Sequence, residues 1–385
     1  MRKPHVRGRK AQQQRGVVLM ACYGFVVLLS VLGSTLLMRS FHEYQASQLS
    51  EGRVRALFLS EASVDQAITQ LRAGTTTDIS STTLGGGTYS AQILDSSEMA
   101  GLGVFDYVIQ GHGIYIGSQR NLQVRMILTP QSVFQYPLFG DHSVELKKWA
   151  FTDSYNSSLG PYDPNAPGQK GTIATNNTTS ESVELEQGTV VNGQVVVGPG
   201  LSDPSTAVST DGTTIITGTP PIVCATQTLI VAPVDTSGMS CDADFNLPKD
   251  ATFTFDESHS PYCYNKLKAD KGSVIQVSGN VQVYASQVDF DKNLSVNVTG
   301  TPPQFLLYIY GTHDVVIDKD GTFVGAIYAP QAEVRLKKQV DFYGALLADE
   351  VTIDKESKFH YDEALTNVGP TGSYDVAVKE WHELN

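Results

Sequence analysis

Twenty-two consecutive residues without a charged side chain, Val17 to Met38, follow a sixteen-residue leader that carries six positive charges and no acid. As a helix this run spans about 33 Å, enough to cross the hydrocarbon core of a bilayer. Arg2, Lys3, Arg7, Arg9, Lys10 and Arg15 precede Gly16, and a basic flank of this kind stays on the cytoplasmic side. The expectation is a single membrane pass with everything after Arg39 outside the cytoplasm. A cleaved secretory signal has a shorter apolar core that ends in a small-residue site, and no such site follows here. Leu19-Met20-Ala21-Cys22 invites a lipoprotein reading, but the apolar core would then have to precede the cysteine. Cys22 therefore reads as a buried helix residue.

The helical signal continues past the membrane. No proline occurs between Arg39 and Thr129, and Val54, Leu57, Val64, Ile68 and Leu71 recur at three-, four- and seven-residue steps among charged residues. That pattern is one apolar stripe on an otherwise polar helix. Gly74 stands where a C-terminal cap belongs, ahead of a Thr/Ser/Gly-rich stretch. A helix from Val17 to residue 73 would be about 85 Å long, half in lipid and half packed on a soluble domain. Gly33 and Gly52 are candidate bends, because glycine costs about 1 kcal/mol against alanine in a helix interior. From Tyr89 to Leu128, the strings TYSAQILDS, FDYVIQGHG and RNLQVRMILT read as antiparallel strands joined by turns. His112, within Gly111-His112-Gly113, reads as an exposed turn residue with no second His or Cys nearby to make a ligand pair.

A polar, basic leader ending at Gly16 directly before an apolar helix resembles a type IV prepilin leader, and QQQRGVVLM resembles the PilX-like minor pilins and pseudopilins. The resemblance implies cleavage between Gly16 and Val17 by a prepilin peptidase. It implies a pilin-like helix and sheet, and partnership with other pilin subunits and the pilus assembly machinery. It also implies an inner-membrane precursor that reaches a pilus or the cell surface on assembly. Major pilins carry glutamate at the fifth residue after the cut. Ala21 stands there, with no acid before Glu43, which implies a place at the fibre tip rather than in the shaft.

The C-terminal half repeats. DVVIDK from Asp314, EVRLKK from Glu333 and EVTIDK from Glu350 are each followed by a phenylalanine nine positions after the start, at Phe323, Phe342 and Phe359. Gly325 then matches Gly344, and Ala329 matches Ala348. FLLYIYG from Phe305 fits the same second strand one repeat earlier, and SVELKK from Ser143 is another first strand. Val183, Leu185, Gly193 and Val195 fall in phase with Val334, Leu336, Gly344 and Leu346. A unit of about 18 residues with two short strands cannot bury its own apolar face, so neighbours must stack. The expectation is a parallel β-helix, or β-solenoid. SYNSSLGPY from Ser154, with IYAPQAEV, FYGALLAD and HYDEAL, resembles large PilX-type proteins whose outer domain is a β-solenoid.

The fold expected is mainly β with one long N-terminal α-helix. Its parts are a leader at 1–16, a membrane half-helix at 17–38, a pilin-like helix and sheet at 39–130, a β-solenoid at 131–365 interrupted by an insertion at 199–271, and a C-terminal segment at 366–385. Beyond the leader, 21 basic residues face 40 acidic ones, a balance that excludes nucleic acid as a partner and favours solubility outside the cell. Cys224, Cys241 and Cys263 imply one disulfide and one unpaired thiol in an oxidising compartment. Closing either Cys224–Cys241 or Cys241–Cys263 contributes about 3 kcal/mol on the chain-entropy model. No nucleophile elbow, zinc-protease helix or phosphate loop is present, and no cofactor or metal is expected. Asp314, Asp318 and Asp320 beside Arg335, and the Asp289, Asp291, Asn293 spacing, are the positions that resemble calcium ligands. Leu294 and Gly300 break that loop pattern. The chain reads as a non-enzymatic pilus-associated surface protein for adhesion or assembly, its surface ligand unknown. Alternatives are a membrane-anchored structural or adhesive solenoid outside any fibre and, third, a carbohydrate-active β-helix enzyme.

Overall fold

Helix α1 runs uninterrupted from Lys10 to Arg72, about 94 Å at 1.5 Å per residue. In the computed structural model, which describes residues 10–72, 74–95, 98–99 and 106–384, everything else is strand, turn and short 3₁₀ helix. Most of the basic leader lies outside the described residues, as do the side chains on both sides of the Gly16–Val17 junction. The chain divides into two units, Met1–Leu128 with Val376–Asn385, and Thr129–Asp375.

In the first unit, β1 (Ile79–Leu84), β2 (Gly87–Leu94), β3 (Asp106–Tyr115) and β4 (Ser118–Ser132) form an antiparallel meander, extended on its β4 edge by the C-terminal strand Thr371–Leu384. β1, with the polar string ISSTTL, lies in the Thr/Ser/Gly-rich stretch after Gly74, where the sequence reading places no strand. The seam between α1 and the sheet is a correction. Its buried residues are Gly52, Ala56, Leu59, Ser60, Ser63, Val64, Ala67 and Leu71, whereas Val54 is exposed. The physical reason is close approach, which selects small side chains over large apolar ones. Ser60 Oγ donates to the Gly111 carbonyl at 3.0 Å. A Cβ on Gly111 would lie 2.6 Å from Ser63 Oγ, and one on Gly113 would overlap the Ala56 carbonyl oxygen. Gly111-His112-Gly113 is therefore the middle of a strand, not a turn. His112, half-buried, meets its cross-strand partner Asn121 at 2.8 Å. α1 ends in a paired-bond cap at Gly74 (φ 73°), with Gly74 N–H on Leu71 O and Thr75 N–H on Gln70 O.

In the second unit the strand pairs are parallel and in register. Strand Val281–Phe290 pairs with both Phe305–Ile309 and Val315–Ile317, and both of these pair with Thr322–Leu336, which closes a four-strand ring. One column, buried from Val283 to Val195 and half-buried at its end, reads Val283, Leu307, Ile327, Leu346, Leu138, Ile173, Val195, Ile222 from layer to layer. Another reads Val315, Val334, Val351, Val144, Val183. Phe323, Phe342 and Phe359 are fully buried register partners, with ring centroids 4.9 and 5.1 Å apart and planes within 10°. The placing of Phe305 over Phe323 is corrected by two residues, since Tyr308 pairs with Tyr328 and Val296 with Phe323. Parity survives a shift of two, so Phe305 still points inward. The corners stack as well. Asn293, Asp320, Gln339 and Glu356 adopt left-handed backbone, and each N–H bonds the carbonyl of the lysine one layer on: Lys319, Lys338, Lys355 and Lys148.

Layer order does not follow chain order. Residues 138–155 occupy the middle, paired on one side with 173–191 and on the other with 341–362. The chain first builds toward one end, at 208–224, then restarts at the opposite end with Asp244–Leu247 and returns. Residues 225–243, which carry no strand, make the crossing. Ala225 bonds Val197, the Asn176 side chain brackets Leu229, Tyr328 Oη donates to the Ala232 carbonyl, and Cys241 is disulfide-bonded to Cys263. Cys224 is a free thiol. The stretch 199–271, read as an interruption, thus supplies layers at both ends of the stack as well as the crossing between them.

Candidate functional site

Among the described residues, two surfaces stand out, one left open on α1 and one only partly covered in the second unit. The first is on α1. Among the described residues one helix is long and apolar enough to cross a membrane, with a window of mean hydropathy 2.0, none of it buried. Apolar residues from Val18 to Met38 are 45–80 % exposed. Exposure of large apolar residues continues outside that window at Phe41, Tyr44, Leu49, Val54 and Phe58. At 100° per residue, Tyr44, Val54 and Phe58 fall within an ~80° arc opposite the seam that meets the sheet. From Gly52 to Leu71 one side of α1 is covered by strands, and the opposite side presents Val54 and Phe58 to solvent.

The second surface belongs to the strings that carry the buried phenylalanines. The residue after each points to the other face, giving an outer column of Val324, Tyr343, His360 and Asp153 in consecutive register. The 156–170 loop covers part of this column, so Asp153 is fully buried and His360 is 2 % exposed. Asp153 holds His360 Nδ1 at 2.6 Å through one carboxylate oxygen and accepts from Tyr162 Oη at 2.7 Å through the other. The loop is pinned elsewhere by Ser157 N–H on Asp362 and by Ser154 Oγ and Lys170 Nζ on Glu363. Tyr155, Tyr162 and Tyr343 meet edge-to-face with centroids 5.6–6.2 Å apart, and His360 packs against Tyr162 and Tyr343 at 4.1 and 4.7 Å. Burial pushes the Tyr155 hydroxyl well up, with the Asp362 charge adding to it. Burial and the Asp153 bond do the same for Tyr162.

These rings line a groove of about 570 Å³, completed by residues 298–302, Thr322 and Val324. An adjoining groove of about 530 Å³ shares Tyr162 and Tyr343 and adds Lys358 and His360. Sequence reasoning noticed SYNSSLGPY only as a resemblance and missed the site. The signal available was the residue after each repeat phenylalanine.

The sequence-derived candidates are distributed otherwise. Asp318 and Asp320 sit at a corner turn, and Arg335 pairs with Glu333 at 2.7 Å. Asp291 and Asn293 sit at another corner, while Asp289 faces Lys266. Among the described residues, the carboxylate and imidazole groups that converge are Asp141, His142 and Asp349, with donor atoms within 4.8 Å. Each is already engaged, His142 with Asp349 and Asp141 with the Asn176 amide at 2.6 Å. The Asp349 bond raises the His142 pKa above its ordinary value.

A domain of unknown function, DUF7305, matches residues 234–368. No curated protein matches the chain. Among solved structures, the competence-associated pilin ComZ from Thermus thermophilus is similar at 10 % identity and a TM-score of 0.24, over 86 % of this chain and 97 % of that one. The DUF3494 domain of a Shewanella frigidimarina ice-binding protein is similar at 11 % identity and a TM-score of 0.26, over 61 % of this chain and 99 % of that one.

Proposed function

We propose that this chain is a minor pilin-like surface subunit. On this reading it is made as an inner-membrane precursor, trimmed between Gly16 and Val17, and assembled at the end of a type IV pilus-like fibre through α1. The second unit is then a β-solenoid held outward for adhesion, with no catalytic role. The observation that carries the reading is the exposure of Tyr44, Val54 and Phe58 opposite the sheet. A plain anchor needs apolar surface only within the bilayer, yet Phe58 lies twenty residues, about 30 Å of helix, past Met38. Packing against the helices of neighbouring subunits covers that face at about 25 cal/mol per Å² of apolar surface. Ala21 suits an end position, where no subunit above requires a pairing carboxylate.

Two measurements test the reading. N-terminal sequencing of protein from cells should begin at Val17; a mature chain that begins at Met1 or Arg2 removes the prepilin step. Replacing Val54 and Phe58 together by glutamate should leave the protein in the membrane fraction and abolish its recovery in sheared fibres. Equal recovery of that variant, or absence of the wild type from fibres, would leave the alternative of a solenoid anchored in the membrane.

A further inference from the structure

We infer that the tyrosine-lined groove of the second unit is a binding site for an uncharged, pyranose-based glycan. The inference deepens the proposed adhesive role by giving it a ligand class. Every residue lining the 570 Å³ groove is uncharged, in a chain where 67 of 385 residues are charged. An ionic ligand would find no counter-charge in that lining, Lys358 belonging to the adjoining groove. The volume lies within the ~300–1,000 Å³ of small-ligand sites.

The composition of the walls suits a sugar. A pyranose ring has apolar C–H faces and a rim of hydroxyls, and it needs both rings to stack on and groups that donate and accept. Tyr155, Tyr162 and Tyr343 supply the rings, and Ser157, Thr299 and Thr301 supply hydroxyls. The Tyr155 hydroxyl, its pKa pushed further up by burial, is protonated at physiological pH and can donate, while Tyr162 gives its proton to Asp153 and can only accept from a ligand. An extended peptide is a poorer fit, because peptide capture by strand addition needs an open sheet edge. The strands contributing Tyr155, Tyr343 and Thr322 are paired on both sides.

The rings are also fixed before any ligand arrives. Tyr162 is tied to a fully buried Asp153, which is tied in turn to His360. Burying such a polar pair is costly unless it is satisfied, and here its geometric effect is to set the angle of a surface ring. A platform ordered in advance loses little entropy on binding.

The test is calorimetry on the full-length protein in phosphatidylcholine nanodiscs, with cellohexaose, chitohexaose and maltohexaose as neutral probes and hexagalacturonate as the charged one. At least one neutral hexamer should bind saturably, and at least tenfold more tightly than hexagalacturonate. Tyr343→Ala should weaken that binding at least tenfold. So should Thr299→Trp, which fills the groove from an exposed position and leaves the Asp153–His360 pair untouched. Trp149→Ala, an exposed ring outside the groove, should change nothing. The inference is overturned if no neutral hexamer binds, if hexagalacturonate binds more tightly, or if binding survives both groove variants. The assay is blind to fibre entry, so either reading can fail while the other stands.

Discussion

Phe342 is the middle side chain of the interior phenylalanine column Phe323, Phe342, Phe359. It is fully buried, with Phe323 stacked at 4.9 Å on one side and Phe359 at 5.1 Å on the other. Truncating a buried phenylalanine costs about 3–5 kcal/mol, and each aromatic pair contributes about 0.5–1.5 kcal/mol beyond its buried area. Phe342→Ala loses two pairs and belongs at the upper end, about 4–5 kcal/mol. Phe359 stacks on one ring only, its other register partner being Thr152, so Phe359→Ala should cost about 1 kcal/mol less. At about 2–4 °C per kcal/mol for a unit of this size, the melting temperature of Phe342→Ala should fall by about 10–15 °C. Circular dichroism of the full chain in nanodiscs, followed on the strand signal, would measure both variants. A cost under about 1.5 kcal/mol for Phe342→Ala, or equal costs for the two variants, would refute the stacked-column argument.

Gly113→Ala places a methyl group against the Ala56 carbonyl and should destabilise the first unit by about 1–3 kcal/mol; limited proteolysis between α1 and β3 reads the loosening, and an unchanged cleavage rate would show that the seam can give. His142 should titrate above 6.5 because of its bond to Asp349, so the pair adds stability that is present below pH 6.5 and lost as pH rises through the raised value. In Asp349→Asn the NMR titration of His142 should move down; no movement would deny the carboxylate as the cause.

Legibility in the sequence followed the size of the side chain. Phe323, Phe342 and Phe359 announce their register because large apolar residues at a fixed offset have one interior to share. The seam of α1 did not announce itself, since Gly52, Ala56, Ser60 and Ser63 give no apolar period and only close approach explains them. Val54, chosen for the stripe on hydrophobicity, faces the other way. Repeats also disclose phase without order. Nothing in EVTIDK says that its layer lies beside SVELKK, some 200 positions earlier, which is where the pairing of Glu350 with Ser143 puts it. The groove was out of reach for a related reason. Asp153 and His360 are 207 residues apart and become neighbours only through that unexpected order.

The order of layers also determines how the second unit bears force. Its entry and exit are tied together, Val133 N–H bonding the Pro370 carbonyl at 2.8 Å, and both lead into the middle of the stack. Tension applied through the chain ends is therefore taken by two adjoining ladders, Leu138–Leu146 with Asp341–Ile353 and Phe151–Tyr155 with Lys358–Asp362, whose bonds share the load. The outermost layers, at 208–224 and 244–256, lie off that load path. An unfolding front cannot start by peeling an end, as it would in a stack threaded from one tip to the other. Single-molecule pulling should then show one high rupture force rather than a staircase of small ones.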